Sequence, residues 1–129
     1  MDKELQHIIS YDSKGHLLEG GKKYRLHLPQ DIPVSDFWSV IVYDAQSNLI
    51  INSQKWPSVF SSDRNLVFNN DNSVDVLFSP DPVDGKDTNW IKTEPGKQWY
   101  MILRLYYPLE SWFNKKWQHG EIEEITKFS

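Results

Sequence analysis

The sequence predicts a single all-β domain, and three observations lead to this prediction. Short apolar runs recur between turn signals along the 129 residues, whereas the periodicity of an amphipathic helix is scarce. Aromatic residues make up 14% of the chain, and aromatic side chains favour the pleated, half-buried surfaces of sheets. No linker, repeat or low-complexity tract divides the chain, so we expect one domain over residues 1–129, a sandwich or a barrel.

The first predicted elements are short strands separated by glycine turns. Gly15 closes the turn DSKG because it can adopt the positive φ that a tight turn needs, and Gly20-Gly21 makes the next break. Residues 24–28, YRLHL, alternate between apolar and polar side chains. This alternation predicts a strand with one buried face, ended by Pro29.

The segment FWSVIVYD, residues 37–44, differs because both of its faces are apolar. Trp38, Val40 and Val42 lie on one side of the predicted strand, and the other side is also apolar apart from Ser39. A strand of this kind is covered on both faces, either in the middle of a sandwich or against a second subunit.

The second half of the chain contains a predicted hairpin and the longest strand. NNDNS, residues 69–73, predicts a turn between strands in LVF and VDVLF, since Asn and Asp tolerate left-handed conformations. The mostly apolar decapeptide at 98–107 predicts a long central strand ended by Pro108. After it, residues 109–117 could form one helical turn or a loop, and residues 121–128 a last edge strand.

Five segments, in this order, resemble one family. They are DSKGHLLEGGKKYRLHLP, FWSVIVYD, NNDNSVDVLF, NWIKTEPGKQWYMILRLYYP and the region of Trp117. Together they resemble the domain of unknown function numbered 1214, usually the C-terminal part of larger proteins that also carry the domain of unknown function numbered 1254. The resemblance spans about residues 8–125. It implies a two-sheet antiparallel jelly-roll-like β-sandwich, here a stand-alone or truncated copy, and it transfers no catalytic residues.

The sequence departs from the family's usual pattern in three places. Lys92 replaces a proline, Asn72 replaces a glycine, and Gln118-His119 stands where prolines are usual.

The bulk composition argues against several classes of function. The net charge of −4 disfavours nucleic-acid binding, which needs a basic face. No apolar stretch reaches the roughly 18 residues of a membrane span, and no signal peptide is visible, so we expect a soluble protein, cytoplasmic by default. The chain has no cysteine and no closely spaced histidine pair, and we expect no cofactor.

Three residues near the long strand are candidates for a ligand site. Arg104 lies in an otherwise apolar strand, so its guanidinium needs either a carboxylate such as Asp44 or Asp75 or an anionic ligand. We expect Asn89 to cap backbone groups in the turn before this strand and Trp90 to pack at the end of the sandwich. Contact with a ligand is the alternative role for this pair.

Two further sets of residues suggest weaker sites. Asp81, Asp84 and Asp87 surround a glycine in an oxygen-rich loop, which is the best candidate for a calcium site, although aspartates also form turns. Trp56, Trp112 and Trp117 could form an aromatic surface for a carbohydrate or another small ligand.

The function predicted from these observations is a non-catalytic binding or assembly domain. Its apolar sheet face would contact another domain or a second copy of the chain, because strand 37–44 is apolar on both sides and no catalytic motif is present. A carbohydrate or small-ligand module is the first alternative. Part of an enzyme site completed by a partner domain is the second.

Overall fold

A computed structural model describes residues 4–35, 37–51, 58–62, 66–82 and 89–125. Within these residues the chain forms nine strands and one short helix. The strands are β1 (Glu4–Ile9), β2 (Leu18–Glu19), β3 (Tyr24–Leu28), β4 (Trp38–Asp44), β5 (Ser58–Phe60), β6 (Val74–Ser79), β7 (Trp90–Lys92), β8 (Gln98–Tyr106) and β9 (Ile122–Glu124), and the helix is α1 (Glu110–Phe113).

The strands form two sheets, which confirms the predicted β-sandwich. The five-stranded sheet has the order β1-β8-β4-β5, with β2 also paired to β8, and the four-stranded sheet has the order β7-β6-β3-β9. The pairs are antiparallel except for β6 and β7, which run parallel. A parallel pair cannot be joined by a tight hairpin, and β6 and β7 are separated in the sequence by residues 80–89.

The core lies between the two sheets and is built by the alternation of side chains along each strand. Tyr24, Leu26 and Leu28 of β3 are buried, as the sequence predicts. Trp99 of β8 links the sheets, because its ring lies 4.7 Å from that of Phe78 on β6 and 5.6 Å from that of Tyr24. The predicted central position of β8 is confirmed, since it pairs with β1, β2 and β4.

Two turns form as the sequence predicts, and one predicted strand does not form. Gly15 has a φ of 83° and Asn72 a φ of 67°, the left-handed conformations expected there. The backbone N–H of Asn69 donates to the carbonyl of Ser73 at 2.8 Å and closes the predicted turn. The segment 66–68 before this turn is not a strand, however. The backbone N–H and carbonyl of its central residue, Val67, form hydrogen bonds with the side chain of Asn89 instead of with a neighbouring strand.

Candidate functional site

The outer face of the five-stranded sheet carries an unusual concentration of aromatic side chains. We use "outer face" for the side chains of this sheet that point away from the core. They are Glu4, Gln6 and Ile8 on β1, Tyr100, Ile102, Arg104 and Tyr106 on β8, Phe37, Ser39, Ile41 and Tyr43 on or next to β4, and Ser58 and Phe60 on β5.

Apolar side chains occupy most of this face, and some of them are exposed to solvent. Ile8 is 58% exposed, and Phe37 is also exposed. Pairs of aromatic rings flank the centre of the face on both sides: Tyr43 and Tyr100 are stacked with their centroids 5.4 Å apart, and Phe37 and Tyr106 are tilted with theirs 4.3 Å apart. From the strand spacing and the rise per residue, four strands of this length present roughly 400 Å². This is the area of the whole face, in which Ser39 and Ile102 are buried and the rings of Tyr43, Tyr100 and Tyr106 are half-buried.

Arg104 lies at the centre of the outer face, opposite Gln6 on one neighbouring strand and Ser39 on the other. Its Nη2 donates to the hydroxyl of Tyr43 at 3.2 Å, and its Nη1 lies 3.7 Å from the carboxylate of Glu4. The side chain of Arg104 is 27% exposed. The guanidinium is therefore held in place while part of it still faces solvent.

The expected carboxylate partner of Arg104 is Glu4 on the neighbouring strand β1, and the two carboxylates named as examples, Asp44 and Asp75, lie elsewhere. Asp44 accepts hydrogen bonds from the backbone N–H groups of Gln46 and Ser47 at 2.8 and 3.2 Å, and so stabilises the turn after β4. Asp75 lies 2.7 Å from the Nδ1 of His27 on the other sheet. The pairing register, which the sequence does not specify, decides which groups reach Arg104.

The polar centre of the outer face is incompletely satisfied. Burial alone would lower the pKa of Arg104, but a hydrogen bond with Tyr106 and the electrostatic effects of Tyr43 and Glu4 outweigh it and raise the pKa above its ordinary value. Among the described residues, the Oγ of Ser39 and the Nε of Arg104 are buried without a hydrogen-bond partner. Each buried polar group without a partner destabilises a fold by about 1–3 kcal/mol. The centre of this aromatic surface is therefore charged and incompletely hydrogen-bonded.

A cavity of about 430 Å³ opens beside the outer face at the Tyr100 end. Ile8, Tyr11, Leu17, Tyr100 and Ile102 provide most of its apolar lining. Tyr11 and Leu17 are exposed, like Ile8. The cavity is large enough for one apolar anchor side chain of a partner.

Asn89 and Trp90 have structural roles at the edge of the four-stranded sheet. The side chain of Asn89, only 7% exposed, donates to the carbonyls of Val67 and Asp75 at 2.7 and 3.1 Å and accepts from the N–H of Val67 at 3.0 Å. Trp90 donates from its Nε1 to the carbonyl of Ser79 at 3.0 Å. Capping of backbone groups by Asn89 was expected, but its partners lie in the segment before β6 and on β6 instead of the turn before β8.

Most of the predicted calcium site and one tryptophan fall outside the described residues. Asp84, Asp87 and Trp56 are not described, so the calcium prediction stays a prediction. The backbone carbonyl of Asp81 accepts a hydrogen bond from the hydroxyl of Ser79. Where the structure is described, no three histidine or acidic side chains converge in a way that could hold a metal ion.

Trp117 is a core residue, so its predicted place on a ligand-binding surface is wrong. It is 6% exposed, and its Nε1 donates to the carbonyls of Pro29 and Gln30 at 3.2 and 3.1 Å. Trp112 is half-buried beside it, with 6.0 Å between the ring centroids. Of the two alternatives for residues 109–117, one helical turn or a loop, the structure shows the helical turn α1, which carries Trp112.

A second cavity, of about 780 Å³, lies at one end of the sandwich and is bordered by charged side chains. These charges pair with one another. Lys22 lies 3.0 Å from Glu19, and Lys97 lies 3.3 Å from Glu94 and 3.8 Å from Asp44. Because positive and negative side chains alternate around this cavity, it would not favour an anionic or a cationic ligand. The outer face is therefore the stronger candidate for a functional site.

The fold and this face define a two-sheet β-sandwich domain with an aromatic sheet surface. The chain belongs to the family described as Protein of unknown function (DUF1214), whose model matches residues 3–110. None of the curated proteins matches the sequence. No helix among the described residues is long and apolar enough to cross a membrane.

Two solved structures are similar to this chain. The VPA0106 protein from Vibrio parahaemolyticus is 25% identical with a TM-score of 0.78, and the match covers 96% of this chain and 31% of that one. An uncharacterized protein from Burkholderia cenocepacia is 14% identical with a TM-score of 0.52, covering 99% of this chain and 38% of that one. The second likeness concerns the fold alone. The chain thus spans about a third of the length of these solved proteins.

Proposed function

We propose that this chain is a non-catalytic assembly domain whose outer face docks on a different domain. The partner inserts an apolar side chain into the cavity beside Tyr100 and places a carboxylate against Arg104. The observation that carries this proposal is the position of Arg104, a partly exposed charge at the centre of an aromatic face. Aromatic residues and arginine are the residue types enriched in protein interfaces.

Charge favours a different partner over a second copy of the chain. Two copies packed face to face about a two-fold axis at the centre of the outer face would bring two Arg104 side chains together. Like charges in a desolvated interface oppose association, whereas a carboxylate on a partner would complement the guanidinium. The solved relatives, of which this chain spans about a third, contain further chain that could provide such a partner.

The size of the face is consistent with the core of an interface. Roughly 400 Å² from the sheet is about half of the roughly 800 Å² that each partner contributes to a stable complex. The exposed side chains Tyr11 and Leu17 beside the cavity would add to this area. The expected complex therefore has an aromatic centre on β4 and β8 and a rim beyond β1.

The fluorescent probe 8-anilinonaphthalene-1-sulfonate tests the face, because it combines an aromatic body with an anion. We expect saturable binding, weakened at least about fivefold by Ile8→Lys and by Arg104→Gln. Leu49→Lys, at an exposed apolar residue outside the face, is the matched control and should bind as the unaltered protein does. Equal binding by all four proteins, or none by the unaltered protein, would overturn the proposal.

Light scattering after size exclusion tests the choice of partner. We expect a monomer at all concentrations up to about 100 µM, because a face-to-face dimer would bring two Arg104 side chains together in a desolvated interface. A dimer that Ile8→Lys dissociates would show that a second copy occupies the face, and it would refute the assignment to a different domain.

A further inference from the structure

Two histidines that are far apart in the sequence meet at one edge of the sandwich. His7 lies on β1, an edge strand of the five-stranded sheet, and shares the inward side of that strand with Leu5 and Ile9. His119 precedes β9, an edge strand of the other sheet. Their ring centroids are 4.8 Å apart, and both rings are half-buried.

The donor atoms of this pair suit metal binding. The Nδ1 of His119 lies 2.6 Å from the carbonyl of Gly120, which can only accept, so Nδ1 carries the proton and Nε2 keeps its lone pair. Histidines that bind metals commonly donate their second N–H to a backbone carbonyl in this way.

The separation of the rings agrees with a shared ion. With a metal–nitrogen distance of about 2.1 Å and about 1.15 Å from a ring nitrogen to the ring centre, two imidazoles on one ion have centroids about 4.6 Å apart at a 90° angle and about 5.3 Å apart at a tetrahedral angle. The observed 4.8 Å lies between these values.

We infer that His7 and His119 form a binding site for a divalent transition metal of the nickel, copper and zinc group. Imidazole nitrogens suit these ions, whereas magnesium and calcium require oxygen ligands. Among the described residues no third side chain joins the pair as a ligand, so water completes the coordination and the ion exchanges readily. The site lies on the inward side of β1, and it does not depend on the proposed docking of the outer face.

Tryptophan fluorescence reports on this site. Trp112 lies 5.4 Å from His7 and 6.2 Å from His119 between ring centroids. Nickel(II) and copper(II) bound to the pair should therefore quench it. Titration of chelator-treated protein with nickel(II) should give saturable quenching with one ion per chain, and copper(II) should bind more tightly by the usual order of affinities. Magnesium(II) should have no effect.

Substitutions separate this site from incidental binding. His7→Gln and His119→Gln should each weaken nickel(II) binding about tenfold or more, as expected when a metal site loses a ligand or its support. His16→Gln, at the exposed histidine near Asp12, is the control and should leave the affinity unchanged. Far-UV circular dichroism verifies that each variant is folded, and His7→Ala and His119→Ala provide a second pair. Equal affinity in all the variants, or equal quenching by magnesium(II), would overturn the inference.

Discussion

The buried side chain of Asn89 provides a direct test of the structural role assigned to it. In Asn89→Ala the N–H and the carbonyl of Val67 and the carbonyl of Asp75 lose their partner. A hydrogen bond contributes about 1 kcal/mol net, and three are lost, so we expect the free energy of unfolding to fall by about 3 kcal/mol. That is a large part of the roughly 5–15 kcal/mol of an ordinary domain.

Urea denaturation followed by tryptophan fluorescence measures this loss. With a slope of roughly 1.5–2 kcal/mol per M, the midpoint should fall by about 1.5–2 M while the slope stays constant. Asn114→Ala is the matched control, because Asn114 is exposed and accepts one hydrogen bond, from the N–H of Lys116. Its effect should stay within about 0.5 kcal/mol. If Asn89→Ala lowered the free energy of unfolding by less than about 0.5 kcal/mol, the structural role of Asn89 would be refuted. Asn89 would then again be a candidate for binding a ligand.

Two further predictions concern the turns. An alanine Cβ at Gly20 would lie 1.8 Å from the backbone oxygen of Glu94. Gly20→Ala should therefore lower the free energy of unfolding by about 3 kcal/mol, whereas Gly21→Ala, with no neighbour closer than 3.8 Å, should change it by less than about 1 kcal/mol in the same urea assay. Burial raises the pKa of Asp12, but hydrogen bonds from two backbone N–H groups outweigh it and lower the pKa below 3.8. The ionised Asp12 therefore stabilises the fold above pH 3.8, and this stabilisation is lost as the pH falls through the pKa of the folded state. In acid titrations Asp12→Ala should lose stability less steeply than the unaltered protein. An identical dependence of stability on pH in the two proteins would contradict this account.

The fold class could be predicted from the sequence because the signals for it are local. Alternation along residues 24–28 and 98–107 specifies which side chains are buried, and turn residues such as Gly15 and Asn72 specify where the strands end. These signals need only the two-residue period of a strand and the conformational preferences of single residues. For the same reason the excess of apolar side chains on the second side of strand 37–44 could be recognised as a possible contact surface.

The partners of the polar side chains could not be predicted from the sequence and became apparent in the folded chain. Arg104 reaches Glu4 and Tyr43, Asn89 takes the backbone groups that a strand at 66–68 would have used, and His7 meets His119. Each of these contacts depends on the register between strands and on which sheet edges face each other. Register and packing are set by the combined burial of the whole core, and no short segment of the sequence contains that information.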